Sequence, residues 1–304
     1  MKFDFSAIHI LEISPDRRDP ALAAVLERLY ASCGCRDRLD KDPLVLMVPF
    51  QDIRDREVAG LVCSMLAFGS VELILEACKK ALKPLGGKPA ERLLSMNDAE
   101  IQTAYGDFQY RFCFPQDMVN FVLAIRNILR RHGSLNALFL FGRDTGTQGK
   151  LQGQAGFLLS ASAFVCALKE AAGPFRKNLL PDPADGSACK RLFLFFRWMV
   201  RQDTVDPGGW EGVSPSELLV PLDTHMLSLC RGPLGFLEPR NTARQSAISS
   251  SLRDALLVTE HFRLYAPDDP VKYDFALTRL GIDPRDSDMP LSQLLQEVPA
   301  VCPD

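Results

Sequence analysis

The sequence predicts an all-α protein, a helical bundle of two lobes with a cleft between them. Apolar residues recur three and four positions apart in segment after segment. The segments open on Asp-Pro or Pro and close on Gly or Pro, as helices do. No run between turn signals alternates apolar and polar residues with period two, so β-sheet is expected to be minor.

The elements follow in order. Asp19-Pro20 supplies an N-cap and a proline at the first helical position, Leu22, Val25, Leu26 and Leu29 form one apolar stripe, and Gly34 ends it. Helices are expected over 57–68, closed by Gly69, and over 71–82, stopped by Pro84. A fourth over 115–131 carries Arg126, Arg130 and Arg131, followed by His132, where cations suit the negative end of the macrodipole. A fifth covers 157–172 and ends at Gly173-Pro174. Further helices are expected over 187–201, 224–230, 242–262 and 269–280, the last opened by Asp269-Pro270 with Val271, Phe275, Ala276 and Leu277 inward. The stretch 142–156, rich in Gly, Gln and Thr, reads as a surface loop. Its Gly149-Lys150 is not a phosphate loop, because Asp144 stands where the first glycine belongs and Leu151 replaces the Ser or Thr.

Composition narrows the class. A chain of 304 residues with 47 % apolar and 24 % charged residues is neither disordered nor fibrous. We read 1–304 as one all-α unit of two interleaved lobes, with 1–41 a helical extension and 42–281 the core. The net charge of −3 excludes a histone-like cationic binder but leaves room for a local basic stripe. No apolar run reaches the ~18 residues of a membrane span. Nine scattered cysteines and a start without signal-peptide character lead us to expect a reduced, cytoplasmic protein. Cys33-Gly-Cys35 has no second pair, so neither zinc nor an iron–sulfur cluster is expected, nor any other cofactor.

Two segments carry candidate chemistry. On a helix at about 100° per residue, Ala188, Leu192, Phe195, Phe196 and Met199 cover one face of 187–201, while Lys190, Arg197 and Arg201 fall within about 40° of one another on the other. Three cations on one stripe repel unless an anion lies alongside. The stripe is therefore either a solvated face or a phosphate-facing one. In Pro221-Leu222-Asp223-Thr224-His225, Asp223 has the look of an N-cap and His225 of a packed or phosphate-contacting residue.

Together these segments resemble an uncharacterised bacterial family known only as a domain of unknown function. The marks are Arg56-Glu57-Val58-Ala59, Tyr110-Arg111-Phe112, the runs from Ser187 to Leu192 and Arg197 to Arg201, Val205 to Trp210, Pro221 to His225 and Pro270 to Leu277. A more distant similarity is to the helix–hairpin–helix DNA glycosylases, nearest the archaeal 8-oxoguanine branch. There a lysine opens the helix after the hairpin and an aspartate capping a later helix faces it. Lys190 and Asp223, 33 residues apart, fit those roles. The Gly-x-Gly hairpin of that family is replaced here by the turn from Leu180 to Gly186.

The resemblance implies a DNA-repair N-glycosylase, with or without AP-lyase activity, acting on damaged DNA. Asp223 would stabilise the oxocarbenium-like charge that develops at C1′ and accept the proton of Lys190, whose amine would attack C1′. Ser187, Arg191, Arg197, Arg201 and His225 would contact the nucleic acid, and Phe68, Tyr110, Trp198 and Trp210 would wall the pocket for an extruded base. The competing readings are a non-catalytic nucleic-acid-binding module on the same scaffold and a helical interaction protein.

Overall fold

The computed structural model describes Phe5 and residues 13–147, 153–238, 250–285 and 288–297. Among these residues the protein is built of thirteen α-helices, short 3-10 turns and three isolated bridges, with no β-strand. In chain order the helices are α1 (Pro20–Cys33), α2 (Ile53–Leu66), α3 (Val71–Leu82), α4 (Pro89–Ser95), α5 (Asp98–Tyr105), α6 (Pro115–His132), α7 (Leu135–Thr147), α8 (Gly153–Glu170), α9 (Lys190–Val200), α10 (Thr224–Arg231), α11 (Leu252–Arg263), α12 (Asp274–Ile282) and α13 (Leu291–Glu297). None of the described helices is long and apolar enough to cross a membrane.

Local chemistry sets most of the starts. The carboxylate of Asp19 accepts from the Ala21 N–H at 2.8 Å, and that of Asp52 from the Arg54 N–H at 2.8 Å. Asn97 and Glu100 close a reciprocal capping box on α5. Helix α7 starts differently. Glu57, fully buried on α2, accepts from the N–H groups of Leu135 at 2.9 Å and Asn136 at 2.8 Å. A side chain 78 positions away in sequence thus satisfies donors that the helix cannot satisfy itself. Its neighbour Arg56 donates to the carbonyls of Pro207 and Gly208, tying α2 to the 203–210 loop.

The apolar core is continuous from Phe5 to Leu294. α2 packs on α9, α7 on α8, and α6 on α8, with α4 and α5 lying on α6; α12 packs against α1 and α10, and α13 against α1. Phe139 of α7, Phe157 and Phe164 of α8, Phe195 and Phe196 of α9, and Trp210 form one aromatic cluster, with Phe139 and Phe196 centroids 5.1 Å apart. Burying each such ring is worth on the order of 2–3 kcal/mol.

Several expectations change. Helix α9 is apolar nearly all round: Phe193, Leu194, Trp198 and Val200 are buried along with the expected face. It begins at Lys190 rather than 187, because Gly186 (φ 76°) and Cys189 (φ 44°, ψ 37°) hold left-handed conformations that no right-handed helix can contain. α12 begins at Asp274, not Asp269, since the Asp269 carboxylate is drawn to Arg201 Nε at 2.8 Å instead of capping. Residues 142–147 continue α7 and 153–156 belong to α8, so the expected loop is helical at both ends. Gly149-Lys150, the first part of the 242–262 helix and Cys302 lie outside the described residues.

Candidate functional site

A cavity of about 960 Å³ opens where the N-termini of α9, α10 and α12 converge. Lys190, the first residue of α9, and Asp223, the N-cap of α10, both line it. Asp223 Oδ1 accepts from the Met226 N–H at 2.8 Å, which holds the carboxylate at the positive end of the α10 dipole. Lys190 is half-buried and makes no hydrogen bond or ion pair with the described residues. The turn before it is stiff. Asp182 accepts from the Ala184 N–H at 2.9 Å and the Ser162 hydroxyl at 2.7 Å, and the Leu252 N–H donates to the Gly186 carbonyl at 2.8 Å.

One wall is aromatic and cationic. Phe68 stacks on Phe112 with centroids 4.1 Å apart, and the Arg191 guanidinium lies 5.0 Å from the Phe68 centroid and 5.5 Å from that of Phe112. Arg191 donates to the carbonyls of Met65 and Asn178 and meets no carboxylate among the described residues. Burial against this wall pulls its guanidinium down to about 10. Lys177, exposed at the rim, has no acidic partner among the described residues either. Cys189 also lines the cavity, and burial pushes its thiol up to about 12, which keeps it protonated and unreactive.

The floor is ionic. Arg197 Nη1 donates to Asp274, and its Nε and Nη2 donate to Asp206 at 2.9–3.2 Å. Arg201 joins Asp206 at 3.0 Å, Asp203 at 2.5 Å and Asp269 at 2.8 Å. Arg197 and Arg201 are 2 % and 4 % exposed, so the anions beside this stripe are the chain's own. Burial works against the Arg197 charge, and the carboxylates of Asp206 and Asp274 more than offset it, raising the guanidinium above its ordinary value. Asp274 is buried too, lines the cavity, and has one oxygen, Oδ1, without a hydrogen-bond partner among the described residues. Burial pushes its carboxyl up to about 6, with Arg197 opposing, Asp223 adding and Lys190 opposing.

The structure therefore brings together Lys190, Asp223, Ser187, Arg191, His225 and Phe68. Ser187 is exposed at the rim, its Oγ accepting from the Cys189 N–H at 3.4 Å. The His225 ring sits against Gly281, where any Cβ would collide with it. Five expected site residues are corrected. Arg197 reaches the cavity floor, but its donors are committed to carboxylates. Arg201 is locked in the same network away from the cavity lining. Trp198 (0 % exposed) and Trp210 (6 % exposed) are core residues, because α9 and the 203–210 loop are enclosed by α2, α7 and α8. Tyr110 stands behind the wall rather than in it, its hydroxyl donating to the Phe68 carbonyl at 2.5 Å. Sequence reasoning missed Phe112, Lys177 and Asp274. Three cations on one stripe call for an anion alongside, but nothing in the sequence singles out Asp274 to supply it. No group of three or more His, Cys, Asp or Glu among the described residues is arranged to hold a metal ion.

Fold and cavity define an all-helical protein with a pocket that combines an unpaired amine, buried and half-buried carboxylates and an aromatic wall. By sequence, residues 42–283 match the family described as protein of unknown function (DUF2400), and the chain belongs to that family. No curated protein and no solved structure matches it.

Proposed function

We propose that the protein is a DNA N-glycosylase with AP-lyase activity that excises a damaged base, such as an oxidised purine, through Lys190 and Asp223. The observation that carries this reading is that these two residues, at the starts of two separate helices, line one cavity. The volume suits an extruded nucleotide, the Phe68–Phe112 stack offers a face for a base, and Lys177 and Arg191 offer positive charge for the phosphodiester. On this reading the fold is a two-lobed relative of the helix–hairpin–helix glycosylases, with the turn from Leu180 to Gly186 in place of the hairpin, working on DNA in the cytoplasm.

In the reaction, the Lys190 amine forms a bond to C1′ as the bond from C1′ to the base breaks, the electron pair leaving with the base. Asp223 stabilises the positive charge gathered at C1′ and O4′ on the way. The C1′–O4′ bond of the adduct then breaks, its electron pair going to O4′, which takes up a proton lost from the Lys190 nitrogen, and the Schiff base so formed permits strand scission and is trapped by borohydride. Incubation with oxidised, alkylated and abasic oligonucleotides is expected to give a covalent adduct with the wild-type protein and none with Lys190→Ala. Salt-dependent DNA binding that survives Lys190→Ala, with no base release by either protein, would instead identify a binding module. Absence of DNA binding at physiological salt would leave a helical interaction protein.

A further inference from the structure

The glycosylase resemblance gives Asp223 two tasks, stabilising the charge at C1′ and accepting the proton of Lys190, and the two conflict. A carboxylate that accepts the Lys190 proton becomes neutral and can no longer stabilise the charge at C1′. One acid cannot serve both needs in the same step, and the cavity holds a second acid on the same electrostatic circuit. We propose that Asp274 is the proton acceptor for Lys190, leaving Asp223 free to remain anionic beside the sugar; this rests on the glycosylase reading above.

Four observations support the division. Asp274 lines the same cavity as Lys190 and Asp223. One of its oxygens is fixed by Arg197 Nη1, and the other, Oδ1, is buried without a partner among the described residues, an arrangement that is costly unless the atom has a role. Lys190 and Asp223 are both felt by its carboxyl. Asp223, by contrast, is half-buried and held at a helix N-terminus that favours negative charge. Two carboxyl groups in one site with opposed surroundings form the usual arrangement by which acid–base and electrostatic tasks are separated. The charged and titratable groups that face Asp274 are Arg197 and Lys190 from α9 and Asp223 and Cys230 from α10, with the Arg279–Asp42 pair nearby on the cavity wall.

The step balances. An N–H bond of the Lys190 ammonium breaks, the electron pair stays on Nζ, and an O–H bond forms at Asp274 Oδ1. The amine then bonds to C1′ as the base leaves with its electron pair and takes a proton from water. Hydrolysis of the adduct frees the amine, which recovers its proton. Asp274 acts through Lys190, so it is a positioning and proton-exchanging residue.

Borohydride trapping across pH 5.5–9 tests this. Asp274→Asn is expected to slow adduct formation about 100-fold or more at neutral pH, the scale of a lost general base. The rate should recover as pH rises, because solvent then removes the proton, and Asp274→Glu should restore part of the neutral rate. Asp223→Asn should be slow at every pH. A pH-independent loss in Asp274→Asn that follows its melting temperature, or a rate equal to wild type, overturns the proposal while leaving the glycosylase reading intact. Absence of any wild-type adduct overturns both. A readout without substrate covers variants that fold poorly: the carboxyl-carbon NMR signal of Asp274 should titrate near 6 in the wild type and higher in Lys190→Met. An unmoved midpoint removes the coupling on which the step depends.

Discussion

Asp223 does two separable things, and a pair of substitutions can part them. Its Oδ1 caps α10 through the Met226 N–H, and its carboxylate charge faces the cavity. Asparagine caps a helix as well as aspartate does, whereas alanine costs about 1 kcal/mol. Asp223→Asn should therefore unfold in urea at nearly the wild-type midpoint, while Asp223→Ala loses about 1 kcal/mol. On the proposed chemistry both should lose base release by 100-fold or more, since neither carries the charge. Equal excision by Asp223→Asn and wild type would reduce the residue to a cap. Cys189 is the other informative position at this scale. Its left-handed backbone turns the chain so that Lys190 starts the helix at the cavity rather than continuing a turn away from it.

Helix α9 shows what the sequence could reveal about an element and what it could not. Its extent was nearly readable from apolar spacing, as was that of α1, α3 and α6, because propensity, caps and periodicity agree there. The short helix α4 and the start of α7 were not, since acids distant in the chain satisfy their first N–H groups, Asp55 for α4 and Glu57 for α7. The cationic stripe of α9 was visible but its partners were not. Nothing local indicates that Asp203, Asp206, Asp269 and Asp274, from two different loops and the start of α12, close around Arg197 and Arg201. The lysine and the capping acid were legible because each marks a helix start. The third acid was hidden, because a buried carboxylate and a solvated one look alike in sequence. The network makes a prediction for the element. Arg197→Ala leaves Asp206 buried with one of its two arginine partners and Asp274 buried without its arginine, a change that typically costs about 3–5 kcal/mol. Urea unfolding should show a loss of that size. A loss below about 1 kcal/mol would mean that water reaches the network and that Arg197 is not the tie between α9 and α12.

At the scale of the whole molecule, the continuous core is crossed by acids that burial holds partly protonated, and this gives stability a definite pH dependence. Glu57 joins α2 to α7 from a fully buried site, and the loss of hydration pushes its carboxyl up to about 7, against the pull of the two N–H groups it accepts from. Asp274 joins α9 to α12 and is pushed up to about 6 for the same first reason. In each case the folded protein binds the proton more tightly than the unfolded chain, where carboxyls titrate near 4. Stability from these two groups is thus fully present below about 4 and declines as pH rises through about 6 and 7. Asp203, Asp283 and Asp288 act in the opposite sense. Asp203 is held below its ordinary value by Arg201 and Tyr30 against burial, while a hydrogen bond from Lys41 lowers Asp283 and one from Arg38 lowers Asp288. Their contribution disappears only in acid, as pH falls below about 4. The two sets leave maximal stability at mildly acidic pH, and from there to pH 8 the unfolding free energy should fall by on the order of 2–4 kcal/mol. Urea titrations at pH 5 and pH 8 measure it directly. Leu in place of Glu57 would remove the N-terminal cap of α7 and its titration together, so Glu57→Leu should be less stable at pH 5 and show a shallower fall towards pH 8. A wild-type protein as stable at pH 8 as at pH 5 would mean that burial does not raise the carboxyls of Glu57 and Asp274, and would leave Asp274 a weaker base for the Lys190 proton than the proposed transfer calls for.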